Sequence, residues 1–203
     1  MAKRKGAGQN KGLRIVAGTA RGRRLKIPSG EDVRPTLDRI RESLFNILGH
    51  DLPGCVVLDL FAGSGALGIE ALSRGAEYAL FIDNRQACTQ AIQENLQQCR
   101  LMEKAKVLKV DIPSGFPAVK RTLPRQFDLV CLDPPYRQWE KQGLLEQLDQ
   151  FSLLKKDARI VFEHFYKDDF QAVPQGFQME DQRRYGDVVL SFFRFASHDG
   201  DGK

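Results

Sequence analysis

The chain has 203 residues, of which 42% are hydrophobic and 28% charged, the ordinary composition of a globular protein with one sizeable core. No stretch approaches the ~20 apolar residues of a membrane span, and the basic start MAKRKGAGQNKG lacks the apolar segment of a secretory signal. The cysteines, Cys55, Cys88, Cys99 and Cys131, form no CxxC pair. We therefore expect no metal site and no disulfide framework, and a cytoplasmic, reducing location.

Charge is distributed unevenly along the chain. The net charge of +5 divides into 12 basic and 3 acidic side chains in residues 1–41, net +9, and a remainder of net −4. Such asymmetry predicts a polyanion-facing N-terminal part joined to a body with another task. Residues 1–12 fit a flexible basic tail equally well.

Two short strands and a helix are predicted first. Residues 13–17 (LRIVA) and 24–27 alternate as strands around a glycine-containing turn, which predicts a small hairpin. Pro35 suits a first helical turn, and apolar residues at helical spacing continue to Gly49. Arginine binds phosphate through its planar fork, so the basic side chains here are candidates for contacts with the phosphates of a nucleic acid, although a solvated face is the alternative. The candidates are Arg14, Arg21, Arg23, Arg24, Lys26, Arg34, Arg39 and Arg41.

From Cys55 onward, short apolar strands alternate with helices, which predicts a parallel, doubly wound sheet. The predicted strands are Val56–Leu60, Ala79–Asp83, Lys106–Val110, Asp128–Leu132 and Arg159–His164. The predicted helices between and after them are Ala66–Arg74, Arg85–Met102, Ile112–Arg121 and Trp139–Phe151. Phe177–Tyr185 and Val188–Phe195 are separated by two residues, so they form a hairpin and the last strand runs antiparallel. Residues 197–203 are a polar tail.

A glycine-rich loop follows the first of these strands. Gly63, Gly65 and Gly68 match G-x-G-x-x-G, and Asp83 lies 20 residues beyond Gly63. Asp59 at the strand end would oppose the pyrophosphate of a nicotinamide dinucleotide, whereas it favours the sulfonium and ammonium groups of S-adenosylmethionine (SAM). The alternative is structural, a tight turn with Asp59 capping the next helix. Ligand binding is the better interpretation, with SAM favoured over a dinucleotide.

The tetrapeptide Asp133-Pro134-Pro135-Tyr136 follows the fourth strand. Consecutive prolines end strand pairing and leave a carboxylate, free carbonyl groups and an aromatic face at the carboxyl end of the sheet. That set suits a planar base with an exocyclic amine, whose N–H groups are held by the acceptors while the ring stacks on Tyr136. A strand-ending turn with Asp133 as a helix cap is the alternative.

Together these motifs resemble a known group of enzymes. DLFAGSGALGIEALSRGA with DPPY resembles the class I SAM-dependent amino-methyltransferases. LRIVAGTARGRRLKIP followed by RPTLDRIRESLFNIL is similar to the start of the RsmD family, the 16S ribosomal RNA guanine-N2 methyltransferases. The resemblance covers residues 13–195 and implies a Rossmann-like α/β fold with a seven-stranded, mostly parallel sheet. It also implies an RNA-binding extension at 13–49 and a methyltransferase domain at 50–196.

The resemblance also implies roles for particular residues. The target amine would be held by Asp133, Pro134, Pro135 and Tyr136. SAM would be bound by Asp59, Phe61, Ala62, Gly63, Gly65, Asp83, Asn84, Asp111 and Ile112. The family often has glutamate where this chain has Asp83, which would still reach the ribose. Asp111 has the alternative of capping the following helix.

The expected function is methyl transfer from SAM to the N2 of a guanine in 16S ribosomal RNA. The expected partner is that RNA within an assembling or assembled small subunit, with no membrane partner and a monomeric enzyme. The alternatives are a DNA adenine or cytosine amino-methyltransferase and a protein glutamine methyltransferase. Two further alternatives are a non-catalytic RNA-binding assembly factor and, more distantly, a nicotinamide oxidoreductase.

Overall fold

The computed structural model describes residues 13–29, 36–49, 52–122, 125–134, 141–168, 170 and 172–196. The helices within these residues are α1 (Thr36–Leu48), α2 (Ala66–Ser73), α3 (Gln86–Cys99), α4 (Phe116–Thr122) and α5 (Lys141–Gln150). The strands are β1 (Val56–Leu60), β2 (Tyr78–Asp83), β3 (Ala105–Lys109), β4 (Phe127–Leu132), β5 (Leu154–Phe165), β6 (Phe177–Tyr185) and β7 (Val188–Phe195). A 3-10 turn, Met102–Lys104, leads into β3.

The strands form one sheet of order β3-β2-β1-β4-β5-β7-β6. Strands β1 to β5 pair in parallel, while β7 pairs antiparallel with both β5 and β6. The predicted seven-stranded α/β fold with an antiparallel last strand is therefore confirmed. The reversal between β1 and β4, from which the sheet extends in both directions, opens a crevice at the carboxyl ends of the strands.

Two elements differ from their predicted bounds by more than three residues. β5 begins at Leu154 rather than Arg159, and its pairing with β4 shifts register between Phe127 and Leu129. That bulge interrupts the alternation of buried and exposed residues from which strands are predicted. α4 begins at Phe116 rather than Ile112, because residues 111–115 form a turn closed by a bond from the Gly115 amide to the Asp111 carbonyl (2.7 Å).

The core has two parts, one on each face of the sheet. α1, α2 and α3 contribute to one part, and α4 and α5 to the other. Residues 13–29, here called the arm, belong to the first part through Leu13, Ile15, Ala20 and Leu25, all at most 6% exposed. The predicted hairpin is present but is reduced to a single β-bridge, between Arg14 and Arg24. Backbone hydrogen bonds between its two sides, such as that from the Leu25 amide to the Leu13 carbonyl (2.8 Å), and burial against the sheet domain stabilise it together.

Buried polar side chains of α2 hold the arm in place. The Glu70 carboxylate, with no exposed surface, accepts hydrogen bonds from the amides of Val16 (2.7 Å) and Ala17 (2.9 Å). Gly18 approaches α2 so closely that an added Cβ would lie 1.8 Å from the Ser73 carbonyl oxygen. Val16, Ala17 and Gly18 therefore pack against the C-terminal half of α2, and Gly18 has no room for a side chain.

Candidate active site

The three acids predicted to form the site meet at one edge of the sheet. Asp59 and Asp83 lie at the carboxyl ends of β1 and β2, and Asp133 directly follows β4. Asp59 is the register partner of Phe81 in β2 and of Cys131 in β4, two residues before Asp83 and Asp133 respectively. Because β1 is the central strand of these three, its carboxylate lies between the other two.

The glycine loop, residues 61–65, turns the chain from β1 into α2. Gly63 and Gly65 have φ values of +53° and +76°, a left-handed conformation that glycine adopts without strain. Phe61 shares this conformation at +60°, which is costly for an aromatic residue. The loop is closed by a bond from the Gly65 amide to the Ala62 carbonyl (2.6 Å). Such backbone strain is characteristic of functional turns.

Asp83 is buried, at 6% exposure, and it orders the glycine loop. One carboxylate oxygen accepts the Gly63 amide and the other accepts the Arg85 amide, both at 2.9 Å. Each carboxylate oxygen has a second lone pair, so Asp83 retains capacity for ligand hydroxyl groups. It therefore supports the loop and can also hold a ribose.

Asp59 is 2% exposed and accepts a hydrogen bond from the Gly68 amide in the first turn of α2 (2.9 Å). Burial raises the pKa of Asp59 to about 8; the Gly68 bond opposes this rise, and the charges of Asp133 and Asp83 add to it. The capping alternative is thus present in the structure. The same carboxyl group could also interact with a bound cation, which would favour its ionised form.

A second pair of predicted cofactor residues is in contact. The Asn84 side-chain amide donates to the Asp111 carboxylate (2.9 Å), and both residues are exposed at the carboxyl ends of β2 and β3. Asp111 therefore does not cap α4 with its side chain. Ile112, next to it, is 2% exposed and lies in the core.

The DPPY segment is described only at its start. Asp133 is exposed, and its amide lies 3.5 Å from the Leu60 carbonyl of β1, while Pro134 is buried. Pro135 and Tyr136 lie outside the described residues. The described half therefore offers a solvent-accessible carboxylate beside the end of β1.

This set of groups fits SAM better than a dinucleotide. Three carboxylates lie near enough to raise the pKa of the central one, so the site favours positive charge. A sulfonium and an ammonium group suit that environment, whereas a pyrophosphate would add two negative charges to it.

Within the described residues no group of three His, Cys, Asp or Glu side chains could hold a metal ion. None of the helices described there combines the length and the apolar character of a membrane span.

Most of the predicted RNA contacts lie on the surface. Arg14, Arg21, Arg24, Lys26 and Arg39 are exposed and Arg23 is half-buried, whereas Arg34 lies outside the described residues. Two of them bind α3: the Arg23 guanidinium donates to the Gln98 carbonyl (2.6 Å), and Lys26 pairs with Glu94 (2.7 Å).

Arg41 differs from the other candidates and corrects the prediction. It is 3% exposed, lies 3.7 Å from the Glu70 carboxylate and donates to the Arg14 carbonyl. A guanidinium buried in this way cannot reach a phosphate without unfolding its surroundings. Arg41 therefore joins α1, α2 and the arm, and it is removed from the candidate RNA surface.

Sequence reasoning missed a buried asparagine that connects two parts of the site. Asn95 of α3 accepts the Lys26 amide (2.7 Å) and donates to the carbonyls of Lys26 and Ser64 (both 2.9 Å). It has no exposed surface. The available signal was a polar residue on the apolar face of a helix, beside Ile92 and Leu96.

The strand order together with a glycine loop and acids at the carboxyl edge defines a class I methyltransferase, the enzymes that use SAM as methyl donor. A family model described as conserved hypothetical protein 95 matches residues 13–194. Ribosomal RNA small subunit methyltransferase D of Escherichia coli (strain K12) is 36% identical over 93% of this chain and 91% of its own. The enzyme of that name from Haemophilus influenzae is 33% identical over 90% and 93%.

A solved Escherichia coli structure, yhhF, superimposes with a TM-score of 0.79 at 29% identity, covering 91% of this chain and 98% of that one. The chain belongs to the RsmD family of methyltransferases.

Proposed function

We propose that this protein transfers a methyl group from SAM to the exocyclic N2 of a guanine in 16S ribosomal RNA. The observation that supports the proposal most is the meeting of Asp59, Asp83 and Asp133 at one sheet edge, with a basic arm packed on the same domain. The relatives named ribosomal RNA small subunit methyltransferase D support the substrate class. Guanine N2 is our inference from the DPPY chemistry and the resemblance.

Cofactor binding is assigned to the first three strand ends. Asp83 would accept hydrogen bonds from the ribose hydroxyl groups, and the glycine loop would let the backbone approach the ligand closely. The Asn84–Asp111 pair and Ile112 would border the adenine side. Asp59 would ionise beside the positively charged methionine end. SAM supplies the electrophilic methyl group when it is bound.

Asp133 and the segment after it are assigned to the target amine. The lone pair of a guanine N2 is delocalised into the ring, so the nitrogen is a weak nucleophile. An acceptor that holds one N–H fixes the orientation of the amine and favours a more pyramidal nitrogen. The exposed carboxylate of Asp133 would do this, with the Pro134 carbonyl as a second acceptor and Tyr136 stacking on the ring.

RNA binding is assigned to the exposed arm residues. Arg21 and Arg24 would contact phosphates and orient a structured RNA, while the target base is extruded into the site. We expect a monomeric, cytoplasmic enzyme that acts on an assembling or assembled small subunit.

Methyl transfer from isotopically labelled SAM tests the proposal. The substrates are deproteinised 16S ribosomal RNA and small subunits from a strain that lacks the enzyme, and the product nucleosides are separated and identified. N2-methylguanosine is the expected product. N6-methyladenosine would instead indicate an adenine enzyme, and labelled protein would indicate a glutamine enzyme; either result would overturn the proposal.

A further inference from the structure

A second group of cations lies on the surface next to the arm. Arg100 ends α3, Lys104 belongs to the 3-10 turn, and Lys106 and Lys109 lie on β3, the edge strand of the sheet. All four are exposed. We call these four residues the basic edge.

Among the described residues, the cations of the basic edge are not paired with acids. Several other surface cations are, as in Lys155–Asp128 (2.7 Å) and Arg125–Glu77 (2.6 Å). Within the described part of the chain, no hydrogen bond or ion pair engages the side chains of the basic edge. Glu103 is the only acid in residues 97–109. These four charges are therefore not neutralised locally.

The basic edge is continuous with the arm. Arg23 binds the Gln98 carbonyl, two residues before Arg100, and its charge also lowers the pKa of Cys99 against the larger, raising effect of burial. From Arg100 the chain passes through the 3-10 turn directly into β3. Cations thus follow one another from the arm, across the end of α3, to the sheet edge.

The basic edge also leads to the candidate active site. Lys109 lies five positions after Lys104, a distance of about 16 Å in extended chain. Lys109 is the register partner of Asp83, so it lies beside the residue whose carboxylate is assigned to cofactor binding. The side chains of Lys106 and Lys109 leave opposite faces of β3, since Val107 packs in one part of the core and Leu108 in the other. The edge strand therefore carries positive charge on both faces, although residues 42–203 have a net charge of −4.

We propose that the basic edge is a second RNA-binding surface, which holds the phosphate backbone of a structured RNA on a path from the arm to the catalytic edge of the sheet. The inference rests on the proposed function in that RNA is the substrate. Unpaired cations along an extended edge match phosphates, whose release of counterions supplies sequence-independent affinity.

The triple variant K104Q/K106Q/K109Q tests the proposal. Its matched control is K120Q/R121Q/K156Q, which loses the same charge from exposed residues of α4 and β5. Binding to 16S ribosomal RNA is measured over a range of salt concentrations. If each of the three lysines neutralises one phosphate, the slope of log affinity against log salt should fall by about 2–3 in the edge variant only.

Lysines on an edge strand also protect against self-association, and the experiment separates that role. If the edge variant keeps its RNA affinity and salt slope, or if both variants change alike, the proposal is wrong. In wild-type protein, RNA should reduce chemical acetylation of Lys104, Lys106 and Lys109; equal labelling with and without RNA would contradict it. The salt dependence of RNA binding and the protection from acetylation do not require methyl transfer. Both can therefore be interpreted even if the protein does not methylate 16S ribosomal RNA.

Discussion

The side-chain amide of Asn95 donates a hydrogen bond to the carbonyl oxygen of Ser64 at 2.9 Å, from a side chain without exposed surface. The same amide donates to Lys26 of the arm. One residue of α3 therefore supports both the glycine loop that would bind the cofactor and the arm that would bind RNA.

Replacing Asn95 by alanine should weaken both parts. Buried backbone groups of Lys26 and Ser64 would lose partners, which costs about 1–3 kcal/mol for each group left unsatisfied. We expect lower stability in denaturant titrations and a raised KM for SAM. Gln98→Ala, at an exposed position of the same helix, is the control and should change neither quantity. Equal behaviour of the two variants would rule out the supporting role of Asn95.

Asp59 should make stability depend on pH. Its pKa is about 8 in the folded protein against 3.8 for an exposed aspartate, so the folded state holds a proton that the unfolded state releases. Its contribution to stability is present below about pH 4 and is lost as pH rises towards 8. Asp59→Asn should remove this loss, because asparagine does not titrate.

The measurement is thermal unfolding of cofactor-free wild type and Asp59→Asn across that pH range. The variant should gain relative stability with rising pH and should bind SAM more weakly at high pH, where the wild-type carboxylate is ionised. Parallel pH curves for the two proteins would show that Asp59 titrates normally.

Asp83→Asn should weaken SAM binding. A charged acceptor for ribose hydroxyl groups would become a neutral one, and hydrogen bonds to charged groups contribute about 1.5–3 kcal/mol. A neutral hydrogen bond still contributes about 0.5–1.5 kcal/mol, so we expect an affinity loss of about five- to tenfold by calorimetry. Asp181→Asn, which removes an acid from β6, is the control. Unchanged SAM affinity in Asp83→Asn would remove its cofactor role.

The arginines predicted to contact RNA should fall into two groups according to their burial. Arg21→Gln with Arg24→Gln should lower RNA affinity and flatten its salt dependence by about 0.7–0.9 log units for each phosphate that is no longer neutralised. Arg41→Gln should instead reduce stability, because it leaves the Glu70 carboxylate with one cation fewer. A normal salt slope in the double variant would exclude phosphate binding by Arg21 and Arg24.

Much of the fold was predictable because short apolar strands alternate clearly with helices along the chain. Strand β1 and the hairpin of β6 and β7 have the predicted bounds, since apolar periodicity and the Gly186-Asp187 turn mark them unambiguously. The start of β5 was not predictable, because a bulge depends on the partner strand rather than on the local sequence.

The candidate site was predictable at the strand ends, where Asp59, Asp83 and Asp133 follow apolar runs. The burial of a long polar side chain was not predictable, because it depends on the tertiary structure. Arg41 has the same local sequence character as exposed Arg39, and only the packing of α2 and the arm distinguishes them. The role of Asn95 likewise depends on two segments distant in sequence.

The most direct test of the account compares wild type with Asp133→Ala in two measurements on the same protein preparation: SAM binding and formation of N2-methylguanosine in 16S ribosomal RNA. Asp133 is exposed, so its removal should leave the fold intact, and SAM should still bind, with a loss of affinity much smaller than the loss of methyl transfer. We predict that methyl transfer falls by about 100-fold or more. N2-methylguanosine formed by Asp133→Ala at the wild-type rate would contradict the account.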